Sequence, residues 1–194
     1  PAAKLKVALI GNPNCGKSTL FNILTGLHQS TANFPGATVD KKTGSGKILN
    51  SFGNTILLDF LDLPGAYSLN PKSLDEKIAV ELLQDRNHPD HPDLVLFVAD
   101  ASNLKRSLYL AAQVIDLSRR EDGPRMPVVI GLNMMDVVEK RGMEIDDKLL
   151  SQRLGVKVMP ISARQQRGID PLKQALVSPI EIRKNKIFSG ETFA

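Results

Sequence analysis

The stretch Gly11-Asn-Pro-Asn-Cys-Gly-Lys-Ser18 (GNPNCGKS) decides how this chain is read. It fits the pattern G-x-x-x-x-G-K-[ST]. Before it lies the apolar run Leu5 to Ile10, and after it the helical pattern Lys17 to Thr25. Strand, glycine-bearing turn and helix, in that order, make a loop whose backbone N–H groups can face phosphate oxygens. The start of the helix brings a positive dipole end to the same place. Lys17 is placed to reach the β- and γ-phosphates, and the Ser18 hydroxyl to bind Mg²⁺. Gly11 and Gly16 let the backbone wrap closely enough for its N–H groups to face the phosphate. Alone, this motif fits kinases, ATPases and GTPases equally.

Working outward, apolar runs alternate with helical patterns. Leu5 to Ile10, Thr55 to Leu61, Leu94 to Ala99, Pro127 to Leu132 and Val156 to Ile161 are continuous apolar runs, as strands covered on both faces require. Thr43 to Leu49 alternates instead, and reads as an edge strand pairing with Thr55 to Leu61. Helical spacing covers Lys17 to Thr25, Ser73 to Leu83, Leu104 to Ser118, Asp146 to Leu154 and Ile169 to Leu176. The fold class expected is α/β, a P-loop NTPase domain: a mostly parallel six-stranded sheet with helices on both faces. Gln29 to Asp40 shows no regular pattern. The domain is expected over residues 1–177. Residues 178–194 lose periodicity and read as a linker or stub.

The bulk numbers are those of an ordinary soluble globular domain: 194 residues, 42% hydrophobic and 24% charged. With Cys15 the only cysteine, no intrachain disulfide can form. No apolar run approaches the roughly 18 residues of a membrane-spanning helix. The net charge of +4 comes without any basic patch interleaved with aromatics, and Trp is absent. A solvated surface is the reading, with no nucleic-acid partner.

Further motifs narrow the ligand. In DLPG, residues 62 to 65, Asp62 ends a strand where a water-mediated Mg²⁺ contact belongs, and the Gly65 N–H can meet a γ-phosphate. In NMMD, residues 133 to 136, Asn133 and Asp136 supply the polar pair a guanine pocket needs. The Asp136 carboxylate can accept from the ring N–H and the exocyclic amine together, a donor pair adenine lacks. Met134 stands where N-K-x-D has Lys, covering the base plane without charge. In ISAR, residues 161 to 164, Ser162 and the Ala163 backbone are placed to contact the base O6. Thr38, in NFPGATVD, is the expected hydroxyl that completes Mg²⁺ and senses the γ-phosphate. Lys17, Thr38 and Gly65 are thus catalytic candidates, with Ser18, Thr38 and Asp62 as Mg²⁺ ligands.

Taken in order, these motifs resemble the G domain of the translation-factor-related GTPases. GNPNCGKSTLFN, NFPGATVD, DLPGAYSL, DASNLKRSLYL, NMMD and RGMEID together resemble the N-terminal cytosolic G domain of the bacterial ferrous-iron transporter B (FeoB) family, from residue 4 to about 177. The resemblance implies a GTPase turning GTP into GDP and phosphate, regulating a ferrous-iron transporter. It also implies residence at the cytoplasmic face of the bacterial inner membrane. Its partners would be GTP and the membrane-embedded iron-transport domain of the same polypeptide, with homo-oligomerisation left open. It implies that Gly11 to Thr19 bind the phosphates, Asn12, Asn14, Cys15, Gly16 and Thr19 among them, and makes Gln29 to Asp40 switch I and Asp62 to about Asp75 switch II. It also gives Asn14 a role. Ala66 stands where many GTPases have a water-orienting Gln. Family members lacking that Gln tend to carry Asn at this loop position, where it helps bind K⁺ beside the phosphates. The switch I carbonyls near Ala32 and Phe34 would complete that K⁺ site, making Asn14 both K⁺ ligand and catalytic candidate. The alternative is a ribosome-assembly GTPase binding RNA. Cys15, near a helix N-terminus, is placed where a thiol pKa can fall, but the reading preferred is a small residue that fits the loop.

Overall fold

A computed structural model describes residues 4–26, 29–34, 39–50, 53–70, 73–119 and 125–188. The strands are β1 (Lys4–Gly11), β2 (Gln29–Asn33), β3 (Asp40–Leu49), β4 (Thr55–Asp62), β5 (Leu94–Asp100), β6 (Val128–Asn133) and β7 (Lys157–Pro160). The helices are α1 (Lys17–Thr25), α2 (Leu74–Gln84), α3 (Leu104–Ser118), α4 (Met135–Lys140), α5 (Asp147–Leu154) and α6 (Ile169–Phe188). The strands form one sheet in the order β2-β3-β4-β1-β5-β6-β7. From β4 to β7 neighbouring strands run parallel, while β2–β3 and β3–β4 are antiparallel.

Period-two geometry divides the core between the two faces of the sheet. Ala8 and Ile10 of β1, with Val95 and Phe97 of β5, pack against Leu82 of α2 and Leu110 and Val114 of α3. Val7 and Leu9, with Leu94, Leu96 and Val98, pack against Leu20 and Phe21 of α1 and Leu172 and Leu176 of α6. Every residue of β6 is buried, which is why its sequence, VVIGLN, is nearly unbroken in apolar character.

Ser73 caps α2 by accepting the Glu76 N–H (3.2 Å), and Asp146 caps α5 by accepting the Leu149 N–H (2.8 Å). By contrast, α1 begins at Gly16 with no side-chain cap and no acidic residue in its first turn. Its leading N–H groups are therefore free of the carboxylates and hydroxyls that would compete with an anion.

The sheet has seven strands where six were expected, and β3 is not its edge. The additional strand is β2, QSTAN, with all five residues exposed. No buried face imposed a pattern on it; its pairing with β3 and the Ser30–Thr43 hydroxyl contact (2.8 Å) make it a strand. The last helix also runs past residue 177 to Phe188, with Pro179 inside it. Residues 178–188 are thus helical without the amphipathic period that reveals a helix in sequence. The short α4 was not expected either.

Candidate functional site

The order β4-β1-β5 places β1 at the point where the chain reverses its direction of travel across the sheet. In open α/β sheets ligands bind at the carboxyl ends of the strands at such a point. The phosphate loop leaves β1 there, DLPG leaves β4, NMMD leaves β6, and ISAR follows β7.

Gly16 is in the left-handed region, φ +85°, and a Cβ there would lie 2.3 Å from Asn133 Nδ2. Only glycine meets both conditions. Asn133 uses its side chain as a staple. Nδ2 donates to the Cys15 carbonyl (2.9 Å), and Oδ1 accepts from the Ala163 N–H (2.9 Å). The first motif and the last are thus joined through one buried amide, 118 residues from the first partner and 30 from the second. Expected as a base ligand, Asn133 serves here as the joint that holds the phosphate loop and the ISAR loop.

Asp136 is buried at the start of α4, and its Oδ1 accepts from the Ser162 hydroxyl (2.8 Å). Ser162 is fully buried, and its oxygen also accepts from the Gln165 N–H (3.3 Å). Residues 162 to 167 close on themselves through Ser162 N–H to Arg167 C=O and Arg167 N–H to Ser162 C=O, both 3.0 Å. Outside this, Arg167 pairs with Glu139 of α4. Met134 is half-buried at φ +67°, a conformation awkward for a non-glycine residue, and it turns the chain so that Asp136 faces Ser162.

At the other end, Lys17 Nζ pairs with Asp62 Oδ1, and both side chains are nearly buried. Two expected ligand groups, 45 residues apart, therefore meet and neutralise each other. Ser18 and Thr19 are exposed on the first turn of α1, and Asn14 is exposed at φ +64°. Asn12 behaves differently. Its side chain is 4% exposed and turns toward DLPG, with Nδ2 donating to the Ala66 carbonyl (3.1 Å). The Ala66 N–H in turn donates to the Gly11 carbonyl (3.1 Å), and Leu63 N–H to the Leu9 carbonyl (3.0 Å). Gly65 lies against Pro13, where a Cβ would meet three atoms at 3.2 Å. DLPG is therefore docked on the phosphate loop. The links from Asn12 to Ala66 and from Lys17 to Asp62 had no signal in local sequence, because only the β1–β4 register creates them.

Cys15 is buried, in keeping with a small residue that fits the loop. Burial pushes its thiol up to about 11, outweighing the Lys17 backbone hydrogen bond and the Lys17 charge, which act downward. The residue fills space behind the loop and is a poor nucleophile at neutral pH. Thr38 lies outside the described residues. Ala32 sits within β2, which β3 and β4 separate from β1, and the Phe34 N–H donates to the Val39 carbonyl (3.0 Å). A cavity of about 590 Å³ on the β2–β3–β4 face is lined by Lys6, Ser30, Thr43, Ser45 and Asp59 and includes none of the motif residues.

Fold and loops together define a P-loop G domain, the nucleotide-binding module of the GTPase class. The chain belongs to the ferrous iron transport protein B family, whose model matches residues 5–176. It is 43% identical over 173 residues to the Fe(2+) transporter FeoB of Legionella pneumophila (strain Paris), and 42% identical over 178 residues to that of Salmonella typhimurium. Those alignments cover 87% and 89% of this chain, and 21% of each relative. The chain thus spans about a fifth of the length of these relatives. Among solved structures, the cytosolic domain of L. pneumophila FeoB superposes with a TM-score of 0.77 at 44% identity, over 89% of this chain and 67% of that one. The cytosolic domain of T. maritima FeoB in a GDP form superposes at 0.80 and 37% identity, over 92% of this chain and 64% of that one. The T. maritima FeoB G domain alone superposes at 0.77 and 36% identity, over 90% of this chain and 98% of that one. Family membership sets aside the RNA-binding alternative.

Proposed function

We propose that this domain binds guanine nucleotide, hydrolyses GTP, and uses that cycle to regulate ferrous-iron transport by membrane-embedded parts of the same polypeptide. The observation that carries this reading is the Asn133 staple, which makes the base loops and the phosphate loop one site. The base sits over Met134, with Asp136 accepting from the guanine ring N–H and amine. Adenine would leave this buried carboxylate with the Ser162 hydroxyl as donor and none from the base, which is how such sites discriminate. The uncapped start of α1 receives the phosphates, and Lys17 leaves Asp62 to reach them.

Ser18, Asp62 and Thr38 are the residues to hold Mg²⁺, and the ion supplies charge neutralisation at the phosphates. A hydroxyl and a carboxylate at the phosphate end are the hard oxygen donors that suit it. Gly65 presents its N–H to the γ-phosphate. With Ala66 in place of a Gln, no side chain at that position orients water, and Asn14 takes part instead as a K⁺ ligand. The charge there would act as an arginine finger does in other GTPases. The Ala32 carbonyl, held in the β2–β3 pairing, would join Asn14 in holding K⁺ only if β2 left β3. No helix among the described residues is long and apolar enough to cross a membrane. The domain works at the cytoplasmic face.

Titrating the purified domain with GTP, GDP and ATP in Mg²⁺ tests the reading. Guanine nucleotides should bind at least about 100-fold more tightly than ATP. Phosphate release should be faster in KCl than in NaCl. Equal ATP affinity removes the guanine assignment, and equal rates in the two salts remove K⁺.

A further inference from the structure

Among the described residues one buried side-chain polar atom lacks a hydrogen-bond partner, and it is Asn12 Oδ1. Its sister atom, Nδ2, holds the Ala66 carbonyl. Orphaned buried acceptors are rare in folded proteins, and each calls for an explanation. Rotating the amide does not help, since it would set Oδ1 against the Ala66 oxygen.

The peptide that Asn12 holds supplies the explanation. Ala66 C=O and Tyr67 N–H belong to one peptide plane, two residues after the DLPG motif begins to turn. The carbonyl goes to Asn12, and the N–H makes only a long bond, 3.4 Å, to Glu76 Oε1 in the first turn of α2. Gly65, the γ-phosphate sensor of the proposed cycle, immediately precedes this plane, and Ala66 N–H fixes it to Gly11. If the Ala66–Tyr67 plane turns over, its N–H comes to face Asn12 in place of its C=O. An asparagine can serve both orientations: Nδ2 as donor in one, Oδ1 as acceptor in the other. A hydrophobic residue could serve neither, and an aspartate only the second.

We propose that Asn12 is a two-position latch for the Ala66–Tyr67 peptide. As a positioning residue, it carries the state of the γ-phosphate from Gly65 into switch II and on to α2. In the arrangement described here Nδ2 holds the Ala66 carbonyl, the first of the two positions. Arrival of the γ-phosphate draws the Gly65 N–H, the adjoining peptide turns, and Oδ1 gains its donor. This rests on the GTPase reading above and adds to it a residue that touches neither nucleotide nor metal through its side chain.

The test uses the same domain with GDP and with GTPγS. Asn12→Asp keeps the acceptor and deletes the donor, so the ratio of GTPγS to GDP affinity should rise about tenfold, the equivalent of one net hydrogen bond. Its added charge opposes GTPγS, which carries one more phosphate, more than GDP, so it works against that rise and cannot produce it. Asn12→Ala deletes both bonds: the ratio should stay within about threefold, while amide hydrogens of residues 63 to 70 exchange faster in both complexes. A purely structural role would lower thermal stability without moving the ratio. For wild type, which needs no variant to fold, the Tyr67 amide should become more protected on passing from GDP to GTPγS. A Tyr67 amide equally exposed in both complexes overturns the latch. If wild type prefers GTPγS and GDP to ATP but the Tyr67 protection stays flat, only the latch fails. If wild type shows no such preference, the nucleotide reading falls first and the latch falls with it.

Discussion

At the base end, Asn133, Asp136, Ser162 and Ala163 direct their polar groups at one another, and all four are buried. At the phosphate end, Lys17 and Asp62 occupy each other, Asn12 keeps an acceptor idle, and Ser18, Thr19 and Asn14 face solvent. The groups at one end pair within the base loops, whereas those at the other pair between the phosphate loop and DLPG or face solvent. Discrimination of a base requires a rigid hydrogen-bond pattern, because selectivity comes from the penalty on unpaired groups. Sensing one phosphate requires groups with two comparably stable arrangements. The protein places these opposing demands on different loops and joins them through Asn133.

That contrast can be broken at either end. The largest effect is expected from Lys17→Ala, which removes the proposed phosphate ligand and leaves Asp62 buried without its partner. GTP hydrolysis should fall by at least about 100-fold, read as phosphate release. Next comes Asp136→Ala at the base end. GTP and GDP affinities should drop by about 100-fold while that for ATP changes little, so titration should show the preference for guanine collapse. Gly16→Ala strikes the junction. Its Cβ would press on Asn133 Nδ2 and its φ would be strained, so thermal unfolding should report a loss of more than about 1 kcal/mol, with both ends weakened together.

The smallest effect at working pH concerns Cys15. Its folded pKa, about 11, lies above its ordinary value of 9.0. A raised pKa contributes stability that is complete below the unfolded value and is lost as pH rises through the folded one. Stability should therefore be flat through pH 8 and decline between about pH 9 and 11. Alkylation of the native thiol at pH 8 should be far slower than in the unfolded chain. Fast labelling at pH 8 would show a phosphate loop more open than the one described.

The motif residues were legible because their chemistry leaves few substitutes. A turn against phosphate needs glycine and lysine, and a guanine pocket needs a carboxylate at a fixed remove from an asparagine. Five of the seven strands were legible as continuous apolar runs, and Thr43 to Leu49 by its alternation, because sheet burial on two faces or one writes its period into the chain. β2 was not legible: QSTAN buries neither face, so only pairing with β3 defines it. Residues 178–188 were hidden because their sequence carries no amphipathic period.

The sequence by itself determined which groups are present, the order of their loops, and the family to which the chain belongs. Tertiary structure alone decided how those groups are used: Asn133 as a joint and not simply a base ligand, Cys15 as an inert filler, Lys17 bound to Asp62, Asn12 turned toward Ala66. The reason is physical. A side chain's chemistry is local, but its hydrogen-bond partner and its desolvation are set by residues that strand register brings together from 30 to 118 positions away.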